Sequence, residues 1–559
     1  GICAPDLTCA DGKGCATGAD CTSHVCGKGG TCAAAACDDG ALNGGETDLD
    51  CGGDCAKCGP GRHCKVGGDC KSASCSGETC ESTCSDGERG GAESDIDCGG
   101  GAISGCLPCG DQKACKVAED CESEVCLASV CVKSYQWAKR YGVMSSTDLA
   151  VDSAGNSILI GTAQGAVDFG GGALAPLGDD DVVLAKIDAS GNHVWSKRLG
   201  DGAKQRAGGV AVTPAGIVIA TGTFVGNLAP YGFSPNGFDA FVFALDPAGG
   251  FLWSTQMGDA AGSQGGTKVA VNAAGKVGLV GSFSGSIVLG GNTLSSVTPT
   301  TFVGELDSLG KPLWGNSISV IPYNIAIDAA GNLVLCGYVN GPVDLGGGLL
   351  TDVGDNETAF VVKYDAAGKY LWAKTYAATD TSTAAALALD SSGNVVVVGQ
   401  FTGDADFGGG KLTSTGGVGG QSDVFIVKLD PSGGHVWSKQ FGDKASQGAN
   451  GVTIDPAGNI GITGDLFGSI DFGGGPLVDS GAAGSDVFVA KLDSLGKHLW
   501  SKRFGDVQPQ SGVDVDVSDG KSVNVLGAFQ GTIDLGGGPL TSVASPAAYD
   551  VFLGKLLTP

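Results

Sequence analysis

From Tyr135 onward, short runs rich in β-branched and aromatic residues alternate with clusters of Gly, Asp, Asn, Ser and Pro. Runs of this length, bounded by turn residues, predict β-strands. In the fifth stretch of this kind they are Ala385 to Leu389, Asn394 to Phe401, Asp423 to Leu429 and His435 to Phe441. The turns carry a mechanism. In Asp390-Ser391-Ser392-Gly393 and Asp430-Pro431-Ser432-Gly433 the Asp side chain can bond the backbone ahead, and Gly accepts a left-handed conformation. Equivalent turns recur at Asp188, Asp246, Asp307, Asp365 and Asp493.

The pattern has a period. All seven tryptophans (137, 195, 253, 314, 372, 437 and 500) are spaced by 58, 58, 61, 58, 65 and 63 residues. A glycine comb at 161, 222, 281, 337, 399, 464 and 527, each followed four residues later by another Gly, has the same repeat. Four antiparallel strands per unit, repeated seven times, predict an all-β, seven-bladed β-propeller. A β-solenoid would use shorter repeats, and a row of separate sandwiches longer ones. The first unit opens with a Trp strand, Tyr135 to Tyr141, that has no partner before it. The last strand, 550 to 555, has no Trp strand after it. The N-terminal strand is therefore expected to close the ring beside the last one, which removes an open edge.

Cysteines divide the chain. Twenty-two of the 23 lie between Cys3 and Cys131, and Cys336 stands alone in the remainder. Their spacing repeats: Cys37-x13-Cys51-x3-Cys55-x2-Cys58-x5-Cys64-x5-Cys70-x4-Cys75-x4-Cys80 is followed by Cys84-x13-Cys98-x7-Cys106-x2-Cys109-x5-Cys115-x5-Cys121-x4-Cys126-x4-Cys131. Cys9, Cys15, Cys21, Cys26 and Cys32 match the last five positions of such a module. The expected organisation is a partial module (1–36), two complete modules (37–83 and 84–134) and the propeller (135–559). Modules this short cannot build an adequate core, so an even set of 22 reads as a disulfide framework formed in an oxidising compartment. Zinc is the competing reading, from Cys55-x2-Cys58 and Cys106-x2-Cys109. Haem attachment is excluded, because Gly59 and Gly110 stand where a His is required.

Composition narrows the function classes. A net charge of −27 argues against nucleic acid, which needs clustered Lys and Arg. Nowhere do 18 consecutive apolar residues occur, so no transmembrane segment is expected. The 100 glycines follow no Gly-x-y period and belong to turns. No H-E-x-x-H, G-x-S-x-G or P-loop is present, so neither nucleotide binding nor catalysis is expected. His193, His435 and His498 stand two residues before a repeat Trp and read as strand positions. The tryptophans read as covers for the gaps between blades, with sugar stacking as the alternative. Lys139, Lys197, Lys374, Lys439 and Lys502, two residues after Trp, are expected to answer nearby acidic groups. Cys336 replaces Ile160, Val280 and Val398 of other units and reads as a buried thiol.

Two acidic sets are candidates for cations. In the x13 gaps, Asp39, Asn43, Glu46, Asp48 and Asp50, then Asp86, Glu93, Asp95 and Asp97, alternate oxygen ligands around tight Gly turns, as calcium requires. The spacing is not that of an EF-hand, and a solvated acidic turn is the alternative. Asp181, Asp239, Asp423, Asp486 and Asp550 open third strands, either as a carboxylate ring or as strand-entry bonds to loop amides. What varies most is the Gly- and Ser-rich loop between second and third strands, as at 406 to 422.

The units, with 486 to 506 (DVFVAKLDSLGKHLWSKRFGD) and 454 to 464 (IDPAGNIGITG), resemble the bacterial SBBP-type β-propeller repeat. The cysteine modules, with 43 to 58 (NGGETDLDCGGDCAKC), resemble those of secreted and surface lipoproteins of myxobacteria. That resemblance implies a propeller at the extracellular or outer cell surface of a bacterium, and brings no catalytic motif. Units two and three depart from it, with Ala229 and Val288 in place of the Asp of the ValAspPheGly element (Asp168, Asp344, Asp406, Asp471, Asp534). The expected function is a non-catalytic scaffold that binds a protein or glycan, carried on a disulfide-rich stalk. The alternatives are a structural subunit that associates with copies of itself in a filament or surface layer, and an enzyme with an unrecognised site.

Overall fold

The computed structural model describes residues 9–81, 84, 89, 93–100, 106–123, 125–226, 231–233, 237–259, 262–351, 353–354, 356–481, 484–517, 520–543 and 548–558. Two compact units are present, Gly1–Ser134 with Pro559, and Tyr135–Thr558. Among the described residues neither contains an α-helix, and no helix is long and apolar enough to cross a membrane.

The first unit is stapled by disulfides in one repeated pattern. Within each complete module the first cysteine joins the third, the second the fourth, the fifth the seventh and the sixth the eighth: Cys37–Cys55, Cys51–Cys58, Cys64–Cys75 and Cys70–Cys80, then Cys84–Cys106, Cys98–Cys109, Cys115–Cys126 and Cys121–Cys131. Cys15–Cys26 and Cys21–Cys32 repeat the second half, and Cys9 is also disulfide-bonded. Every cysteine of the zinc reading is thus oxidised and offers no thiolate. An Asp directly before the sixth cysteine pins each module: Asp69 accepts from the amides of Lys65, Val66 and Gly53, and Asp120 from those of Lys116, Val117 and Gly100.

The second unit is a seven-bladed propeller of four-stranded antiparallel sheets. Its innermost strands are Ser145–Val151, Gln205–Val212, Gln264–Val271, Ile321–Ile327, Ser382–Leu389, Gln447–Ile454 and Gln510–Asp516. Blade seven is completed by Tyr135–Val143, which pairs antiparallel with Asp550–Leu557, the closure expected from the unpaired ends. Second and third strands are buried on both faces, as at Val395–Phe401 and Asp423–Leu429, and they pack blade against blade. This two-sided burial explains why these strands read as continuous apolar runs.

The glycine comb has a steric origin. Each innermost strand carries a β-bulge near its start, and the residue before the bulge presents its backbone across the ladder to a comb glycine. A Cβ on Gly399 would lie 1.9 Å from Thr383 O, and one on Gly464 1.9 Å from Gly448 O. In blade three, where Val288 replaces the loop Asp, the second and third strands instead run on as Val277–Leu289 and Asn292–Leu306, turned by Gly290 and Gly291. Ala229 lies outside the described residues.

Candidate functional site

The seven bulges set a ring of equivalent side-chain positions around the central channel: Asp148, Gly209, Lys268, Asn324, Ala386, Gly451 and Asp514. Lys268 of blade three passes over Gly209 of blade two and reaches Asp148 of blade one, Nζ to Oδ1 at 2.5 Å. Gly209 is what permits this, since a Cβ there would meet Asp148 Oδ2 at 3.0 Å. Carboxylates also satisfy free strand edges. Asp148 accepts from Val210 N (2.8 Å), Asp514 from Leu149 N (3.1 Å) and Asp516 from Val151 N (2.7 Å). The last two bonds close the seam between blades seven and one from the inside, as the N-terminal strand closes it from the outside.

Burial and the nearby Asp148 charge push the Asp514 carboxyl up to about 8, against the opposing pull of Lys268. Asp516 rises to about 6, chiefly through burial. Burial pulls Lys268 down, but Asp148 and Asp514 outweigh it, and its ammonium is held.

The ring separates two vestibules of about 350 Å³ each, which share Lys268, Asn324 and Asp514. One lies between the innermost strands below the bulges. The other opens at their starts, where the loops between second and third strands emerge, and is lined by Tyr323, Glu357, Thr383, Gln400 and Asn450 as well. Tyr323 is itself a bulge residue, 42% exposed, with its ring 5.6 Å from that of Tyr338.

The residues picked out by the sequence take other places. Asp39 accepts from the amides of Ala36 and Ala41 and from Asn43 Nδ2; Asp50 accepts from Gly40 N, and Glu46 from Asn43 N. Asp48 and Asp95 hold the two halves of their modules together through His63 N and Ala114 N, both at 2.6 Å. Glu93 lies beside Cys106 Sγ, Asp97 has left-handed backbone (φ 58°), and Asp86 lies outside the described residues. Asp39 and Asn43 meet, yet it is the amide nitrogen of Asn43 that faces the carboxylate. Among the described residues, every group of three or more His, Cys, Asp or Glu ligand atoms within 4.8 Å includes disulfide cysteines. Among the described residues, no three carboxylates of the acidic set bring their oxygens within 4.8 Å of one another.

In the propeller, Asp168, Asp344, Asp406, Asp471 and Asp534 cap Gly-rich turns, each accepting from amides two and four residues ahead. The third-strand carboxylates are engaged within their own blades: Asp181 by Leu177 N and Arg198, Asp239 by Gln256, Asp423 by Thr415 N and Gln440, Asp486 by Ser480 N and Arg503, and Asp550 by Val543 N and Arg140. His193, His435 and His498 bond Ser196, Ser438 and Ser501 three residues on. Trp137, Trp195, Trp253, Trp372 and Trp437 each donate Nε1 to a carbonyl in the next blade's turn, at 2.9 to 3.2 Å. Trp500 Nε1 has no partner, because blade seven has no third-to-fourth-strand turn to receive it. Cys336 is a free, buried thiol.

Two features escaped the sequence reading. A lysine within the apolar third strand forms a buried ion pair with the Asp that opens the first turn of the same blade: Lys186–Asp152, Lys363–Asp328, Lys428–Asp390 and Lys491–Asp455. Blade three swaps the charges, with Glu305 and Lys276. The signal was a lysine two residues before each third-strand Asp turn. The channel residues were also legible, as charges that interrupt the innermost strand at one register.

Comparison with known proteins finds a WD repeat-containing relative and leaves the function open. No protein-family profile matches the chain. It is 23% identical over 441 residues to an uncharacterized WD repeat-containing protein of Acanthamoeba polyphaga mimivirus, covering 63% of this chain and 31% of that one. It is 26% identical over 188 residues to the regulatory protein FlaEY of Caulobacter vibrioides, covering 32% and 19%. The chain thus spans less than a third of these relatives. Among solved structures, the β-propeller domain of the Trilobed protease from Pyrococcus furiosus aligns over 74% of this chain and 94% of its own, with 9% identity and a TM-score of 0.39. YCF48 bound to D1 peptide aligns over 76% and 96%, with 10% identity and a TM-score of 0.36.

Proposed function

We propose that the protein is a non-catalytic extracellular scaffold, related to SBBP-type propellers, which recognises a protein or glycan at the mouth of its channel and carries cysteine modules like those of myxobacterial surface proteins. The observation that carries this reading is where the repeat relaxes. Packing positions (the Trp and the comb glycine) recur in all seven blades, and the buried Lys–Asp pair in four. The seven bulge positions hold five different residue types, Asp, Gly, Lys, Asn and Ala, and three of them, Lys268, Asn324 and Asp514, line a vestibule with polar and aromatic groups. Uniform packing with an individual rim is the arrangement of a rigid frame that presents a specific surface. The disulfide framework supports an oxidising location.

The test is binding of the full chain to arrayed glycans and displayed peptides, with Gln400→Ala, an exposed mouth residue, as the probe variant. Retention of a ligand that this variant loses would support the reading. Retention unchanged in the variant would move the site elsewhere.

A second reading, a structural subunit, is favoured by the outer strands. Val194 (47% exposed), Leu252 (47%), Leu313 (41%), Leu371 (46%) and Val436 (49%) occupy one register of five open-edged fourth strands. Open edges with apolar side chains favour strand-to-strand association. Ordered multimers of the secreted chain in electron micrographs, without ligand retention, would select this reading.

A further inference from the structure

We infer that the channel mouth binds a cationic nitrogen group, a primary ammonium or guanidinium such as the side chain of a lysine or arginine on a partner. This rests on the scaffold reading above and names the chemistry of what the scaffold holds.

The first argument is charge balance within the channel. Glu357 and Asp514 line the vestibule; Asp148 lies on the innermost strand of blade one and Asp516 on the same strand as Asp514. The cation that lines it, Lys268, is tied to Asp148 at 2.5 Å. The groups facing Asp514 are Asp148 from blade one, Lys268 from blade three and Asp516 on its own strand. Burial first, and the Asp148 charge second, keep a proton on Asp514 that a positively charged guest would displace.

The second argument is the shape and composition of the walls. A vestibule of about 350 Å³ is at the small end of ligand sites, enough for one extended side-chain terminus. Tyr323 presents a partly exposed ring beside Glu357, a pairing suited to a cation over an aromatic face. Asn450 donates its amide nitrogen to Gly512 O (2.9 Å) and to Asp465 Oδ2 (3.1 Å), which leaves its oxygen as the end available to a guest donor. Gln400, exposed at the rim, adds another acceptor.

A metal ion is the less suitable occupant. Among the described residues no three carboxylate oxygens here come within 4.8 Å of one another, so the polydentate cage of a hard cation is not assembled. A phosphate or other anion would meet Glu357 and Asp514 directly.

Isothermal titration of the full chain at roughly physiological salt, where long-range attraction is screened, tests the inference. The probes are Nα-acetyl-lysine-N-methylamide for a side chain, spermidine for a free polyamine and N-acetylglucosamine as a neutral control. Saturable one-to-one binding of a cationic probe is expected, with proton release near neutral pH seen as a dependence of the heat on buffer. Glu357→Gln and Tyr323→Ala should each weaken it by roughly tenfold, the order of one lost contact. Gln400→Lys, at an exposed position and so not expected to disturb folding, should abolish it. Asp179→Asn, an exposed charge outside the cavity, should leave it unchanged. Tighter lysine than spermidine binding would assign the source to a protein, and the reverse to a free polyamine. No saturable cation binding, binding indifferent to Gln400→Lys, or tighter binding of the neutral sugar would overturn the inference. Capture of a macromolecule with no cation binding would sink this inference and leave the scaffold reading. Cation binding without any macromolecular ligand would do the opposite.

Discussion

The buried Lys186–Asp152 pair offers a direct measure of how the blades are held. Its Nζ to Oδ2 distance is 2.9 Å, and both side chains are 6% exposed. At that separation and an effective dielectric near 20, the gross attraction is about 6 kcal/mol. Desolvation of two ions costs several kcal/mol each, so the intact pair contributes little net stability. Removing one partner is another matter, because the second is left buried and charged. Lys186→Met should therefore destabilise the propeller by about 3–5 kcal/mol. Blade two shows the uncharged solution: Thr213 and Ala244 stand in these two positions, and Thr213 Oγ1 accepts from Ile217 N at 3.0 Å. The double variant Asp152→Thr, Lys186→Met copies that solution at similar volume and should cost less than either single change. Denaturant unfolding followed by tryptophan fluorescence isolates this unit, since all seven Trp lie within it. Acid adds a signature. Burial raises the Asp152 carboxyl, but bonds from Lys186 and Asn156 outweigh it and hold it below the ordinary value. Its contribution is present above the unfolded value, about 3.9, and is lost as pH falls through the lower folded one. A double variant as unstable as the two single losses added together would refute the reasoning.

Further outcomes can be measured independently. Gly310→Ala places a Cβ 2.3 Å from Trp253 Cε3 at a φ of +79°, so it should cost more than the roughly 1–2 kcal/mol of a left-handed residue alone. Gly291→Ala, at φ +83° in open space, carries only the backbone cost, and equal losses would deny the ring contact its role. Because Asp514 keeps a proton in the folded state, its contribution to stability should decline as pH rises from about 4 towards about 8. Asp514→Asn should flatten that slope in melting-temperature profiles; a parallel slope would be the contrary result. Peptide mapping without reduction should recover the interleaved pairs Cys64–Cys75 and Cys70–Cys80, and nested pairing would contradict the module fold. Chelation with EDTA should leave the melting of the cysteine modules unshifted, since their carboxylates already accept backbone amides.

Much of this was legible along the chain because repeats report packing. A tryptophan every 58 to 65 residues marks a contact that a blade makes with its neighbour, and a glycine comb at the same period marks a close approach between the first two strands within each blade. Such contacts must recur wherever the geometry recurs, so blade number, ring closure and disulfide modules follow from spacing alone. Local turn chemistry was equally readable, because Asp188 or Asp430 bonds amides only two and four residues away. The acidic runs of the cysteine modules read as ligand sets because alternating carboxylates suit tight Gly turns as well as cations, and here Asp39, Asp48, Asp50 and Asp95 accept backbone amides.

The channel is the part that only the tertiary structure decided. Asp148, Lys268 and Asp514 are separated by 120 and 246 residues and lie on three different blades, and no local pattern pairs them. They meet because a bulge in every innermost strand turns the same register inward and the ring then closes. Packing is a property of each repeat and is written seven times; the channel is a property of the closed ring, and its charge balance exists only once all seven blades face one another.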